Sequence, residues 1–217
     1  MWSQEEKEQF NEAFTNGIGQ INLDSKFGQK LNELCNLDEV QMIVDIGTWN
    51  GLGSTKIIAN VVENSNGSKE LYSYEVNREK FQYANALYLD DNIHIIHGSV
   101  LPKQPSIKQI LDVFPELPKN SELLNWHMTD LENIKTTSES FVPENIDLLL
   151  LDGGELTTHF DFLFLKDRCQ QYIMISGSNH RKGKPTHDNL SNDSDFILIQ
   201  NEPNDKEGQG WSVFKRK

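Results

Sequence analysis

The chain has 217 residues, 36% hydrophobic and 24% charged, which suits one α/β domain with modest additions. Its formal net charge of −13 repels phosphate backbones and anionic bilayers, so neither nucleic acid nor membrane is an expected partner. The opening MWSQEEKEQF lacks the form of a secretory leader, and the apolar run Leu148–Leu151 is too short to cross a bilayer.

The two cysteines, Cys35 and Cys169, make neither a disulfide framework nor a metal-ligand spacing. A cytoplasmic setting is the simplest expectation. Residues 1–40 read as a helical N-terminal extension. Ser3-Gln4-Glu5-Glu6 forms a capping box, with Phe10 and Phe14 on one face and Gly17 and Gly19 ending the helix. A second helix is expected over 24–36, with Phe27, Leu31 and Leu34 or Cys35 turned inward.

The run 41–46 predicts the first strand. It turns on Gly47-Thr48-Trp49-Asn50-Gly51-Leu52-Gly53 into a helix over about 52–63. Such a corner presents backbone N–H groups at the N-terminus of the helix that follows. The glycine order is G-x-x-x-G-x-G, not the G-x-G-x-x-G of a dinucleotide site. Asp45 stands two residues before the first glycine. That acid would crowd a pyrophosphate but suits a ligand carrying a positive centre and hydrogen-bond donors.

Glu70 to Glu75 reads as the second strand. An acid at its end lies where a ribose would sit, so Glu75 is the candidate ribose clamp, against the plainer reading of a solvated charge. A helix follows from about Arg78, with Phe81, Ala84 and Leu87 or Tyr88 buried. The third strand, 92–97, leads to Gly98-Ser99-Val100. His94 and His97 are expected at the edge or surface.

The stretch 102–143 is longer than a simple crossover needs and reads as an insertion, with short helices near 106–114 and 128–137. Trp126 and His127 either line a substrate site or form its internal core. The fourth strand, 146–151, is apolar throughout, as a parallel strand covered on both faces must be. It exits into Asp152-Gly153-Gly154-Glu155, which brings Asp152 to the crevice shared with Asp45 and Glu75. A helix over 161–168, a fifth strand over 171–175, a partly basic loop over 176–185 and a short helix near 186–190 follow. The apolar runs 196–199 and 211–214 suggest a terminal hairpin.

The stretches 44–100 and 146–214 resemble the class I S-adenosylmethionine-dependent methyltransferases, small-molecule and sugar O-methyltransferases in particular. The resemblance implies an α/β, Rossmann-like, doubly wound seven-stranded sheet over 41–217, mostly parallel with an antiparallel last strand. It implies S-adenosylmethionine as cofactor. Its amino-acid end would be embraced by Asp45, Gly47, Thr48, Trp49, Gly51, Gly53 and Ser54. Glu75 and Val76 would hold the ribose, Ser99 and Val100 the adenine, and Asp152 and Gly153 would face the same ligand. The acceptor would be a small molecule or saccharide, and a homo-oligomer is left open.

A hydroxyl acceptor needs a base, and Asp152, His159 and His180 are the candidates. His159 lies four after Glu155, so the two could pair if the helix begins there, against the plainer reading of two solvated helix residues. Metal-dependent members carry an acid after strand four and an Asp-Asn pair after strand five. Asp152 matches the first, but Ser176 to Asn179 bring no second carboxylate, so no metal is expected, with Asp152, Glu155, Asn179 and waters left open as the alternative. Two outcomes fit these residues: a methyltransferase, or a module that holds the cofactor without turnover. A nicotinamide oxidoreductase is disfavoured by the glycine order.

Overall fold

The computed structural model describes residues 21–118, 121–134, 141–204 and 209–217. The helix expected after Ser3 lies outside them. Seven strands form one sheet: β1 (Met42–Ile46), β2 (Glu70–Glu75), β3 (Ile93–His97), β4 (Ile146–Leu151), β5 (Cys169–Ser176), β6 (Phe196–Glu202) and β7 (Trp211–Arg216). Their order is β3-β2-β1-β4-β5-β7-β6. Strands β1 to β5 run parallel to their neighbours, and β7 enters antiparallel to both β5 and β6. This is the doubly wound sheet and terminal hairpin expected from the sequence.

Seven α-helices are described: α1 (Lys26–Cys35), α2 (Ser54–Glu63), α3 (Arg78–Leu87), α4 (Ile107–Val113), α5 (Glu122–Asn133), α6 (Thr158–Leu165) and α7 (Lys184–Ser191). Helix α1 starts at Ser25, whose hydroxyl accepts the Gly28 N–H at 3.0 Å. Its Phe27, Leu31, Leu34 and Cys35 are buried, the inward face read from the sequence.

Strand β4 divides the core by parity, because successive side chains point to opposite faces. Leu148 and Leu150 join Ile43, Leu31 and Ile58 on the α1–α2 side. Leu149 and Leu151 join Val44, Phe162 and Leu165 on the α6 side. The stretch between β3 and β4, read from the sequence as an insertion, has its own small core of Ile110, Phe114, Leu117 and Leu124, seated on Leu156. Its second helix begins earlier than expected, at Glu122 rather than Met128. Ser121 caps it by accepting the Leu124 N–H at 3.4 Å. Among the described residues, no helix is long and apolar enough to cross a membrane.

Candidate functional site

The carboxyl ends of β1 to β5 surround a cavity of about 440 Å³. Strand β1 pairs with β2 on one side and β4 on the other, so the cavity opens where the strand order reverses. The strand exits are stitched together. Gly47 and Thr48 donate their N–H groups to the Tyr74 carbonyl at 3.1 and 3.2 Å, and the Asp152 N–H donates to the Ile46 carbonyl at 3.0 Å. Gly47 has a φ of +103°, and a Cβ there would stand 2.5 Å from the Asp152 carbonyl oxygen. The first glycine of the corner is therefore needed for both backbone angle and close approach.

Gly47, Thr48, Trp49, Gly53 and Ser54 line this end of the cavity, as does Asn50. Asn50 Oδ1 accepts the Leu52 N–H at 3.0 Å, while its buried Nδ2 has no partner among the described residues. Gly51 is buried behind the corner, where its carbonyl accepts the Tyr88 hydroxyl.

Asp45 was expected to face the cavity and does not line it. It shares the Ile43 face of β1 and is fully buried beneath α2. Its Oδ2 accepts the hydroxyls of Thr55 at 2.7 Å and Ser73 at 2.8 Å. Ser73 in turn contacts the Thr48 hydroxyl at 2.6 Å. Asp45 thus braces the corner from behind. Burial raises its carboxyl to about 6 against the lowering pull of Thr55 and Ser73.

Glu75 ends β2 inside the cavity, and only 6% of it is exposed. Its Oε2 accepts the Trp49 N–H and its Oε1 the Asn77 N–H, both at 2.8 Å. Each oxygen keeps acceptor capacity for a further donor. Burial raises its carboxyl to about 7 despite the Asn77 amide and the nearby Lys80 ammonium. Lys80 lies over the Trp49 ring, 3.0 Å from its centroid. Val76, Ser99 and Val100 continue the wall, and Ser99 Oγ accepts the Leu101 N–H at 3.1 Å.

At the other end Asp152 and Gly153 line the cavity with Glu155 and Lys182. Asp152 Oδ1 is 2.5 Å from Lys182 Nζ. Glu155 Oε2 lies 3.4 Å from His180 Nδ1, not near His159, and makes no hydrogen bond among the described residues. The Glu155–His159 pair, open from the sequence if the helix began at Glu155, does not form because α6 begins only at Thr158. Instead, His159 Nδ1 contacts the Thr186 hydroxyl at 3.1 Å, and its ring stacks on Phe162. Burial lowers its imidazole. Neither His159 nor His180 lines the cavity. In the insertion, His127 does line it and Trp126 is exposed.

The whole chain can be set against solved structures. An O-methyltransferase from Bacillus cereus, in complex with S-adenosylhomocysteine, matches 98% of this chain and 90% of its own at 15% identity and a TM-score of 0.60. A methyltransferase from Geobacter sulfurreducens matches 96% of this chain and 86% of its own at 14% identity and a TM-score of 0.56. The chain has the class I methyltransferase fold. No family model matches it, and no curated protein does.

Within this methyltransferase fold, four cavity groups escape a reading of strand ends alone. Tyr74 and Gln104 line the cavity; Gln104 Nε2 and, on the side of Tyr72 and Arg168, the Tyr74 hydroxyl are buried without a partner among the described residues. Lys182 approaches from a loop. Asp161 lines the cavity from the first turn of α6, and only 4% of it is exposed. Among the described residues no hydrogen bond or ion pair to its carboxyl is found, and burial alone raises it to about 7. A signal for it existed: Asp161 shares the inward helical face of Thr158, Phe162 and Leu165, where an acid is out of character.

Proposed function

We propose that this protein is an S-adenosylmethionine-dependent methyltransferase that methylates a hydroxyl of a small molecule or saccharide. The observation that carries the reading is buried Glu75, with acceptor capacity left on both oxygens, in a wall whose Asn50 Nδ2 and Gln104 Nε2 lack partners among the described residues. Buried polar atoms without partners are costly, so a ligand with matching donors and acceptors is what such a wall suits. The volume of about 440 Å³ is in the range of small-ligand sites. The likeness to a solved O-methyltransferase that binds S-adenosylhomocysteine supports the same ligand here.

On this reading Thr48, Asn50, Gly53 and Ser54 would hold the amino-acid end of the cofactor. Glu75 and Val76 would hold the ribose diol, and Ser99, Val100 and Gln104 the adenine. Asp45 acts behind them as a positioning residue. Bound there, the cofactor would supply an electrophilic sulfonium methyl for transfer to the acceptor oxygen. The carboxylate of Asp161 accepts the proton from the acceptor hydroxyl. A base whose proton affinity lies near the working pH suits that task. Asp152 stands at the same end with Lys182, while His180 reaches it only through Glu155.

Calorimetry with S-adenosylhomocysteine tests the reading. The protein is expected to bind it and to ignore NAD. Glu75→Gln keeps the shape but spoils the double acceptor, so affinity is expected to fall at least tenfold, about 1.4 kcal/mol. An absence of binding to the unaltered chain defeats the proposal.

A further inference from the structure

The loop leaving β5 is shaped to bring one lysine back over the cavity. The Gly177 carbonyl accepts the His180 N–H at 2.9 Å and the Gly183 N–H at 3.1 Å, which closes the turn. A Cβ on Gly183 would stand 2.5 Å from the Ser176 carbonyl oxygen, so the closure requires glycine. A Cβ on Gly177 would sit 3.5 Å from both Cβ and Cε of Lys182, so the aliphatic stem is laid along that glycine. The ammonium then meets Asp152 Oδ1 at 2.5 Å, with side-chain exposures of 12% for Lys182 and 20% for Asp152. Sheltering an ammonium to this degree is tolerated only with a well-placed counter-charge.

With Lys182 in place, the same donors do not fit a divalent cation, which needs several hard oxygens converging on one point. Asp152 Oδ1 is already engaged by Lys182, and Glu155 is turned toward His180. Ser176 to Asn179 carry no carboxylate. Among the described residues no group of three or more His, Cys, Asp or Glu side chains gathers for a metal.

We propose that Lys182 is a resident cation that fills the seat beside Asp152, so that this end of the cavity works with an ammonium and takes no divalent ion. An ammonium has three donors, and with one directed at Asp152 two remain for an oxygen in the cavity. On the methyltransferase reading, on which this role rests, that oxygen belongs to the acceptor. It gives its proton to Asp161, and its negative charge faces Lys182. The seat itself is independent of that reading.

Paramagnetic resonance of Mn²⁺ added to the whole chain tests the seat. Four proteins are compared: the unaltered chain, Lys182→Met, Asp152→Asn, and Lys182→Met combined with Asp152→Asn. The unaltered chain is expected to leave Mn²⁺ free up to about 1 mM. Lys182→Met exposes Asp152 and is expected to bind Mn²⁺ at least tenfold more tightly. Adding Asp152→Asn should abolish that gain. Thermal melting of each variant checks that it is folded. Uptake by the unaltered chain below about 0.1 mM that Asp152→Asn alone removes would overturn the proposal. So would a folded Lys182→Met variant that gains nothing. Failure of S-adenosylhomocysteine to bind in parallel calorimetry would instead remove the methyltransferase reading and leave the seat standing.

Discussion

Asp161→Asn is expected to make the protein more stable and, as an enzyme, at least about a hundredfold slower. Both effects come from one buried carboxyl. Burial lifts Asp161 from the ordinary 3.8 to about 7 in the folded chain. Because the folded value is the higher one, the folded state holds this proton after the unfolded state has lost it. Stability therefore falls as pH rises from about 4 to about 7, by about 1.4 kcal/mol per pH unit for a single group. Above about 7 the loss is complete, on the order of 4 kcal/mol. An asparagine has nearly the same shape and nothing to ionise, so it removes the loss. Asp45, raised to about 6, and Glu75, raised to about 7, act in the same window with the same sign. The variant should thus lose one proton's share of the pH dependence rather than all of it. Urea midpoints at pH 5 and pH 8 measure this. The unaltered chain should weaken more across that span than the variant. An equal loss in both, or undiminished transfer of label from S-adenosylmethionine, would show that Asp161 is neither strained nor a base.

That carboxyl also marks how far a single sequence carries. The strand ends are local, and they were legible. Gly47, Glu75, Ser99 and Asp152 lie in or just after β-segments whose hydrophobic runs announce themselves, and all four line the cavity. Asp45 shows the limit of counting from a motif. Its parity sets it with Ile43 on the α2 side, where Thr55 and Ser73 engage it, so nearness to the glycines did not mean facing the cavity. His159 was misread because the i, i+4 rule needs both residues in the helix. Glu155 precedes α6, in the turns formed as the Thr157 and Thr158 amides reach back to the Gly154 carbonyl. The second insertion helix starts six residues before its expected Met128 because Ser121-Glu122 supplies the cap. The Lys182–Asp152 pair spans 30 residues and two strand exits. It depends on a loop path that no local periodicity encodes.

Gly47→Ala is expected to be the most damaging small substitution at this corner, and Gly67→Ala is its control. Both glycines have positive φ, +103° and +79°. An alanine in such a conformation costs about 1–2 kcal/mol from backbone strain alone. At Gly67 nothing lies within 4 Å of the added methyl, so the cost should stop there. At Gly47 the methyl meets Asp152 O at 2.5 Å, Asp152 C at 2.8 Å and Gly153 Cα at 2.9 Å. All three are backbone atoms, fixed by the Ile46–Leu151 register and by the Asp152 N–H on the Ile46 carbonyl. Relief requires the exits of β1 and β4 to part, since a packed interior has little room to yield. The total should exceed about 3 kcal/mol by urea unfolding. The same parting would shift Asp152 off Lys182 and open the Thr48 wall, so S-adenosylhomocysteine affinity should drop at least tenfold in Gly47→Ala. It should stay unchanged in Gly67→Ala. Equal unfolding costs in the two variants would mean that the strand exits are looser than this geometry describes, and that neither the cofactor wall nor the lysine seat is held as tightly as proposed.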